Sequence, residues 1–209
     1  TRESVMRAPD RAATRRALSL PERGIVFASF NQPQKIRAPV FSAWMRVLAG
    51  VEGSVLWLAD PSPLTKANLQ KAAESHGVDP ARLVFAPKLP LADHLRRLVE
   101  ADIGLDTAPY NGHTTTSDAL WCGVPVVTFK GTSFAGRVSE SLLHAVGLPE
   151  LVADDLSEFV RLAVELAQDG DRHSRLRQTL LAARNTAPLF DTNLFTHRLE
   201  EKYVEVAGL

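Results

Sequence analysis

"DIGLDTAPYNGHTTTSDALWCGVPVVTF", residues 102–129, sets two apolar runs on either side of a polar loop and the start of a helix. "DIGLDTAP" (102–109) reads as a strand, "TTSDALWC" (115–122) as a helix stopped by Gly123, and "PVVTF" (125–129) as the next strand. The strands are continuously apolar rather than alternating, the pattern of a parallel sheet covered on both faces.

The same rhythm extends outward in both directions. "GIVFASFN" (24–31), "SVLWLAD" (54–60) and "RLVFAP" (82–87) are predicted strands. "APVFSAWMRVLAGV" (38–51), "SPLTKANLQKAAESHG" (62–77) and "LADHLRRLVEA" (91–101) are the intervening helices. In the first, Val40, Trp44, Val47 and Leu48 share a face and Pro39 suits the first turn; the second closes at Gly77. "SFAGRVSESLLHAVG" (133–147) is also helical, and beyond Val152 the pattern is helical throughout, ending in "TNLFTHRLEEKYVEV" (192–206). The fold class is α/β: a Rossmann-like parallel sheet with helices on both faces, followed by C-terminal helices. Residues 1–23, rich in arginine (Arg2, Arg7, Arg11, Arg15, Arg16) without an apolar period, read as a linker or partial helix from an upstream region. Residues 24–152 read as the Rossmann-like domain, and 153–209 as C-terminal helices that belong with it.

Composition narrows the function classes. The 209 residues carry 24 Lys plus Arg against 24 Asp plus Glu, so bulk charge recommends neither nucleic acid nor a membrane surface as partner. Anion recognition must be local. The single cysteine, Cys122, allows no internal disulfide and points to a reducing compartment. No apolar run approaches the roughly 20 residues of a membrane span, and no signal peptide is present, so the expected location is cytoplasmic. The start at Thr1 suggests a fragment or a processed product.

Ligands of open parallel sheets bind at the loops beyond the strands' carboxyl ends. The loop after 102–109 offers Gly112 for close backbone approach, His113 as a donor, the hydroxyls of Thr114 and Thr115, and Asp118 one turn on for a ribose. A helix N-terminus there suits a phosphate. The competing reading is a capping box from Thr115 to Asp118; for the threonines alone the two are even, and His113 beside Gly112 favours a site. Two further strand-to-helix loops carry polar groups on the same rim. "FNQPQKI" (30–36) brings Asn31, Gln32, Gln34 and Lys35, a point charge for a phosphate; "KLPLADHLRR" (88–97) brings His94 and Arg97 on one helix face. No dinucleotide or P-loop fingerprint is present. "DGD" (169–171) matches a metal-binding pattern formally but reads as a C-cap glycine followed by an N-cap aspartate, and no His/Cys cluster has metal spacing.

"FNQPQKI", "SVLWL", "DHLRR", the 102–128 stretch and "PLFDT" together resemble the protein O-GlcNAc transferase and SPINDLY family, in that family's order, from about Thr14 to Val206. The resemblance implies one lobe of a GT-B fold, the C-terminal, donor-binding one, whose parent carries an N-terminal lobe and usually tetratricopeptide repeats. It implies inverting transfer of a sugar from a nucleotide to Ser or Thr of a protein, without a metal or other cofactor. Lys35 would stabilise the leaving diphosphate as the catalytic residue, and Gln32, His113, Thr114 and Thr115 would hold the phosphates. Asp118 would hold the ribose, His94 and Arg97 would flank the base, and the backbone near Leu89 would read its edge. Leu91 departs from the pattern, since O-GlcNAc members carry a lysine there; this weakens the inference of UDP. The fucosyl branch, which uses a guanine nucleotide, shares the "PY-x-G-x-T-T-T" pattern, but His113 and Asp118 resemble the O-GlcNAc branch more closely. A module that binds nucleotide sugar without chemistry is the other alternative, and the isolated lobe is expected to be inactive. In the last helix, Leu194, Phe195, Leu199 and Tyr203 form an apolar stripe that packs either on this lobe or on the first lobe.

Overall fold

A computed structural model describes residues 5–7 and 9–208. Strands β1 (Val26–Ser29), β2 (Val55–Ala59), β3 (Leu83–Ala86), β4 (Ile103–Leu105), β5 (Val126–Phe129) and β6 (Val152–Ala153) form one sheet in the order β3-β2-β1-β4-β5-β6. Every pairing is parallel; Phe27 in β1 stands between Leu56 of β2 and Ile103 of β4. The chain builds outward from β1 to β3, then returns to the other side of β1 to place β4. The loops after β1 and β4 therefore diverge at a topological switch point, and a crevice opens between them.

The helices are α1 (Arg11–Ala17), α2 (Ala38–Gly50), α3 (Pro63–Ser75), α4 (Leu91–Leu98), α5 (Thr114–Trp121), α6 (Val138–Ala145), α7 (Leu156–Gln168), α8 (Gly170–Ala183) and α9 (Thr192–Ala207). Val40, Trp44, Val47 and Leu48 are all buried, as the periodicity of α2 requires. Local signals fix the ends. Ser62 caps α3 ahead of Pro63, and Asp155 accepts from the N–H groups of Ser157 and Glu158 to start α7. Gly123 takes a left-handed φ of 72° at the end of α5, and a Cβ there would meet Leu181 Cδ2 at 2.9 Å. The last helices share the core of the sheet: α7 lies on α2, and Phe159 stacks on Phe129 of β5 with centroids 4.2 Å apart.

Five sequence expectations are adjusted by the structure. Of the two readings of the arginine-rich start, linker or partial helix, the helix holds for Arg11–Ala17, and the segment is docked rather than loose. Asp10 caps α1, and Arg7, Arg11 and Arg15 all reach Asp102; their spacing of four puts them on one side, a charged period that an apolar count misses. Arg2 lies outside the described residues. The pattern beyond Val152 is not all-helical, because Val152–Ala153 adds a sixth strand beside Thr128–Phe129. The strand of 102–109 shortens to Ile103–Leu105: Asp106 N–H still reaches the Val127 carbonyl, but from Thr107 onward the chain turns into the loop that the Asp106 carboxylate holds, and α4 ends at Leu98 rather than 101. Within 169–171, Asp169 is the cap, accepting from Arg172 N–H, and Gly170 opens α8.

Helix α9 stands apart from the rest. It has no buried residue, and Phe195, Tyr203 and Val206 are exposed, with Leu199 at the margin. Among the described residues, no helix is long and apolar enough to cross a membrane.

Candidate functional site

The loop after β1 makes a short 3₁₀ turn, Pro33–Lys35, that turns Lys35 toward the loop after β4. Lys35 Nζ donates to the carbonyl of Asn111 at 2.9 Å and lies 3.7 Å from the centre of the Tyr110 ring. Burial lowers its pKa, and the nearby Asp106 acts against that. The two loops are also tied by Asn31, whose Oδ1 accepts from Thr115 Oγ1 at 2.8 Å.

Helix α5 begins at Thr114 with His113 in the N-cap position and no side-chain cap. The capping box of Thr115 and Asp118 does not form: the N-cap is His113, which puts Thr115 inside the first turn, where its hydroxyl donates to Asn31. The first N–H groups of α5 therefore lack the usual acceptor and lie beside Lys35. His113 is held between Tyr110 and Phe134, ring centres 5.1 and 6.3 Å away, and its Nε2 is buried without a hydrogen-bond partner. Gly112 serves a different purpose from the one expected. A Cβ there would run into the hydroxyls of Thr116 and Thr115 and come within 3.2 Å of Asp106 Oδ1, so its bareness lets the loop close on itself rather than on a ligand.

These residues line one open groove of about 320 Å³: Gln32, Lys35, Tyr110, His113, Thr114 and Thr115, with Phe30 and Asn31 behind. Its lining holds one ammonium and no carboxylate. A second groove, about 400 Å³, shares Phe30 and Gln32 with the first and continues over Leu89, Leu91 and His94. The structure thus brings eight of the nine expected residues into two adjoining halves, one polar and cationic, the other mostly apolar. The ninth, Asp118, lines neither half and is 4% exposed, which leaves little surface for a ribose.

Arg97 is also set back. It is 7% exposed, donates from Nη1 to the Pro87 carbonyl at 2.7 Å, and directs Nε and Nη2 at His94 Nδ1, 3.3 and 3.2 Å away. It touches the groove wall and also orients His94. Burial, then the adjacent Arg97 charge, brings the His94 pKa down to about 4, so the ring is neutral at pH 7. With Nδ1 accepting from Arg97, the proton resides on Nε2, a donor available to a ligand. The ring also meets Phe30 edge-on, with centres 4.7 Å apart.

Asp106 escaped the sequence reading as a site residue. It lies directly after β4, 1% exposed, and its Oδ1 accepts from Gly112 N–H at 2.7 Å, Thr107 N–H at 2.8 Å and Asn31 Nδ2 at 3.4 Å. Its Oδ2 accepts from Thr128 Oγ1 at 2.6 Å. Burial pushes its carboxyl above the usual range, while these bonds pull the other way. The available signal was an aspartate ending an apolar strand at the ligand-bearing edge. Among the described residues, no group of three His, Cys, Asp or Glu is placed to hold a metal ion.

Fold and grooves define a Rossmann-like lobe with a cationic crevice at its switch point. The sequence profile of Glycosyl transferase family 41 matches residues 4–199, and the chain belongs to that family. Its relatives include the UDP-N-acetylglucosamine–peptide N-acetylglucosaminyltransferase of Caenorhabditis elegans, 39% identical over 90% of this chain and 16% of that protein. The probable transferase SPINDLY of Petunia hybrida is 36% identical over 93% of this chain and 21% of its own length. The chain thus spans about a fifth or less of these relatives. Among solved structures, a variant of the Thermobaculum terrenum O-GlcNAc transferase superimposes with a TM-score of 0.79 at 35% identity, over 86% of this chain and 35% of that one. Anabaena HepE, in complex with UDP and glucose, shares the fold, with a TM-score of 0.69 at 15% identity, over 97% of this chain and 54% of that one.

Proposed function

We propose that this chain is the donor-binding lobe of a larger, inverting glycosyltransferase that moves GlcNAc from UDP-GlcNAc to Ser or Thr of proteins. The observation that carries the reading is the uncapped start of α5 beside Lys35, in a groove lining that holds no carboxylate. Such a corner suits a diphosphate: helix N–H groups and a point charge, with no competing anion. The family membership and the transferases among its relatives support the same assignment.

In this reading the base lies in the apolar half against His94 and Leu89, and the diphosphate lies against Lys35, Gln32, His113, Thr114 and Thr115. Asp118 reaches the ribose only if its side chain leaves its buried position. The acceptor hydroxyl attacks the anomeric carbon as the bond to the diphosphate breaks. The bond's electron pair leaves on the diphosphate, where Lys35 and the α5 N-terminus stabilise it, and the hydroxyl proton passes to a base on the acceptor side. No step calls for a metal. We assign the acceptor site to a partner lobe of the parent, preceded by tetratricopeptide repeats, in a cytoplasmic enzyme.

Leu91 favours keeping one alternative, fucosyl transfer from a guanine nucleotide. The test is to titrate the chain with UDP and GDP, and to assay the longer protein with UDP-GlcNAc and a Ser/Thr peptide. UDP preference with GlcNAc transfer is expected. GDP preference would move the chain to the fucosyl reaction, and UDP binding without transfer would make it a non-catalytic binding module.

A further inference from the structure

We propose that Asp106 is a positioning residue for the donor diphosphate, acting through the backbone of Gly112 and the side chain of Asn31 without touching the ligand. The inference rests on the nucleotide-binding reading of the groove. Asp106 does not line either half of it. Its carboxylate nonetheless meets every strand or loop that the phosphate corner uses. Oδ1 holds the N–H of Gly112, the residue before His113, and the amide of Asn31; Oδ2 is tied to Thr128 on β5.

Each of those bonds has a geometric consequence. With Nδ2 turned to Asp106, Asn31 has its Oδ1 free to accept the Thr115 hydroxyl, which ties the first turn of α5 to the loop after β1. With its N–H fixed by Asp106, Gly112 sends its carbonyl to Ser139 Oγ, 2.9 Å away, and Ser139 in turn meets Thr116 Oγ1 at 2.9 Å. The loop is gripped from β4, β5 and α6 at once, and what remains outward is the uncapped N-terminus of α5. The Cβ contacts at Gly112 show how tight the grip is: an added methyl has the Thr115 hydroxyl at 2.7 Å and Asp106 at 3.2 Å.

The role lies in accepted hydrogen bonds, not in charge, so asparagine should substitute for it. An amide oxygen at the Oδ1 position keeps the three N–H partners, and the Thr128 hydroxyl can turn to accept from the amide nitrogen. Alanine keeps none of them.

The experiment is an NMR titration of the chain with UDP and, separately, with uridine, which reports the base half alone. For Asp106→Ala we expect uridine affinity within a factor of two or so of the parent chain and UDP affinity reduced about tenfold or more, the scale of lost hydrogen bonds to a charged ligand. Asp106→Asn should hold the UDP-to-uridine ratio within about threefold of the parent chain. Should Asp106→Ala not fold, Gly112→Ala reaches the same contact from the loop side and should show the same selective loss of UDP. A merely structural role would weaken both ligands together or neither, and that result would overturn the proposal, as would Asn failing as badly as Ala. If the parent chain bound neither ligand, the nucleotide-site reading would fall first and this inference with it.

Discussion

Two aspartates bracket the same short strand and live in opposite surroundings. Asp102, just before β4, meets three guanidinium groups: Arg15 Nη2 at 2.6 Å, Arg11 Nη2 at 2.5 Å and Arg7 Nη2 at 3.1 Å. Asp106, just after β4, meets neutral donors alone among the described residues. Burial would raise both carboxyls; at Asp102 the arginines, led by Arg15, and the Val26 N–H reverse it, whereas at Asp106 the neutral donors do not. The lesson concerns where positive charge is allowed to stay unspent. At the lower edge of the sheet the arginines are consumed in clamping backbone: Arg15 also holds the carbonyls of Gly24 and Glu100, and Arg7 those of Val99 and Ala101. At the upper edge, the Lys35 ammonium meets the Asn111 carbonyl and the face of Tyr110, contacts a diphosphate can replace.

The contrast can be broken from either end, and the largest effect belongs to the lower one. Asp102→Ala strands three arginines around a buried site and should destabilise the fold by roughly 3–5 kcal/mol. Urea unfolding measures this, and UDP affinity of the folded fraction should stay unchanged; a loss of affinity without a loss of stability would erase the division of labour. Lys35→Ala should do the reverse. In the longer enzyme it removes about 2.7–4 kcal/mol of transition-state stabilisation, read as kcat, with the urea midpoint unmoved. Near-normal turnover would refute the leaving-group role.

A smaller change sharpens the picture of the groove's other half. Leu91 is exposed on its rim, and Leu91→Lys should tighten UDP by a few-fold, about 0.5–1.5 kcal/mol for one added hydrogen bond, without altering uridine diphosphate's preference for the Lys35 corner. No gain would place the ribose elsewhere. One effect is confined to acid pH. His94 has its pKa lowered from 6.5 to about 4 by burial and then by Arg97, so the unfolded chain binds the proton more readily in between. Stability from His94 is complete above pH 6.5 and is lost as the pH falls toward about 4; His173, also lowered by burial, acts in the same direction. His94→Gln should flatten that part of a thermal-midpoint-against-pH curve but not abolish it.

The sheet was legible because its strands are buried on both faces and so read as apolar runs without interruption. The groove was legible in its outline, since Lys35, Gln32, His94, His113, Thr114 and Thr115 follow strands and must share an edge. What escaped was carried by groups that work on other protein atoms. Asp106 shows nothing in sequence but an acid after "GL", and its meaning lies in Gly112, Asn31 and Thr128, which only the fold brings near. The arginines of α1 have a charged period whose partner is some ninety residues away. Arg97 and Asp118 were placed correctly on their helices, but spacing says which face a residue occupies and not how deeply neighbours cover it. The apolar stripe of α9 shows the opposite case. It was legible as a stripe, and the structure leaves Phe195 and Tyr203 without cover from this lobe.

The central claim is that the upper edge holds a nucleoside diphosphate through Lys35 and the open end of α5. The most direct test is calorimetric titration of the chain with UDP in the presence of a metal chelator, beside the same titration of Lys35→Ala. The account predicts one site per chain, retained with chelator and weakened about tenfold or more in Lys35→Ala at an unchanged unfolding midpoint. Binding that is absent, that requires metal, or that ignores the loss of Lys35 would contradict it.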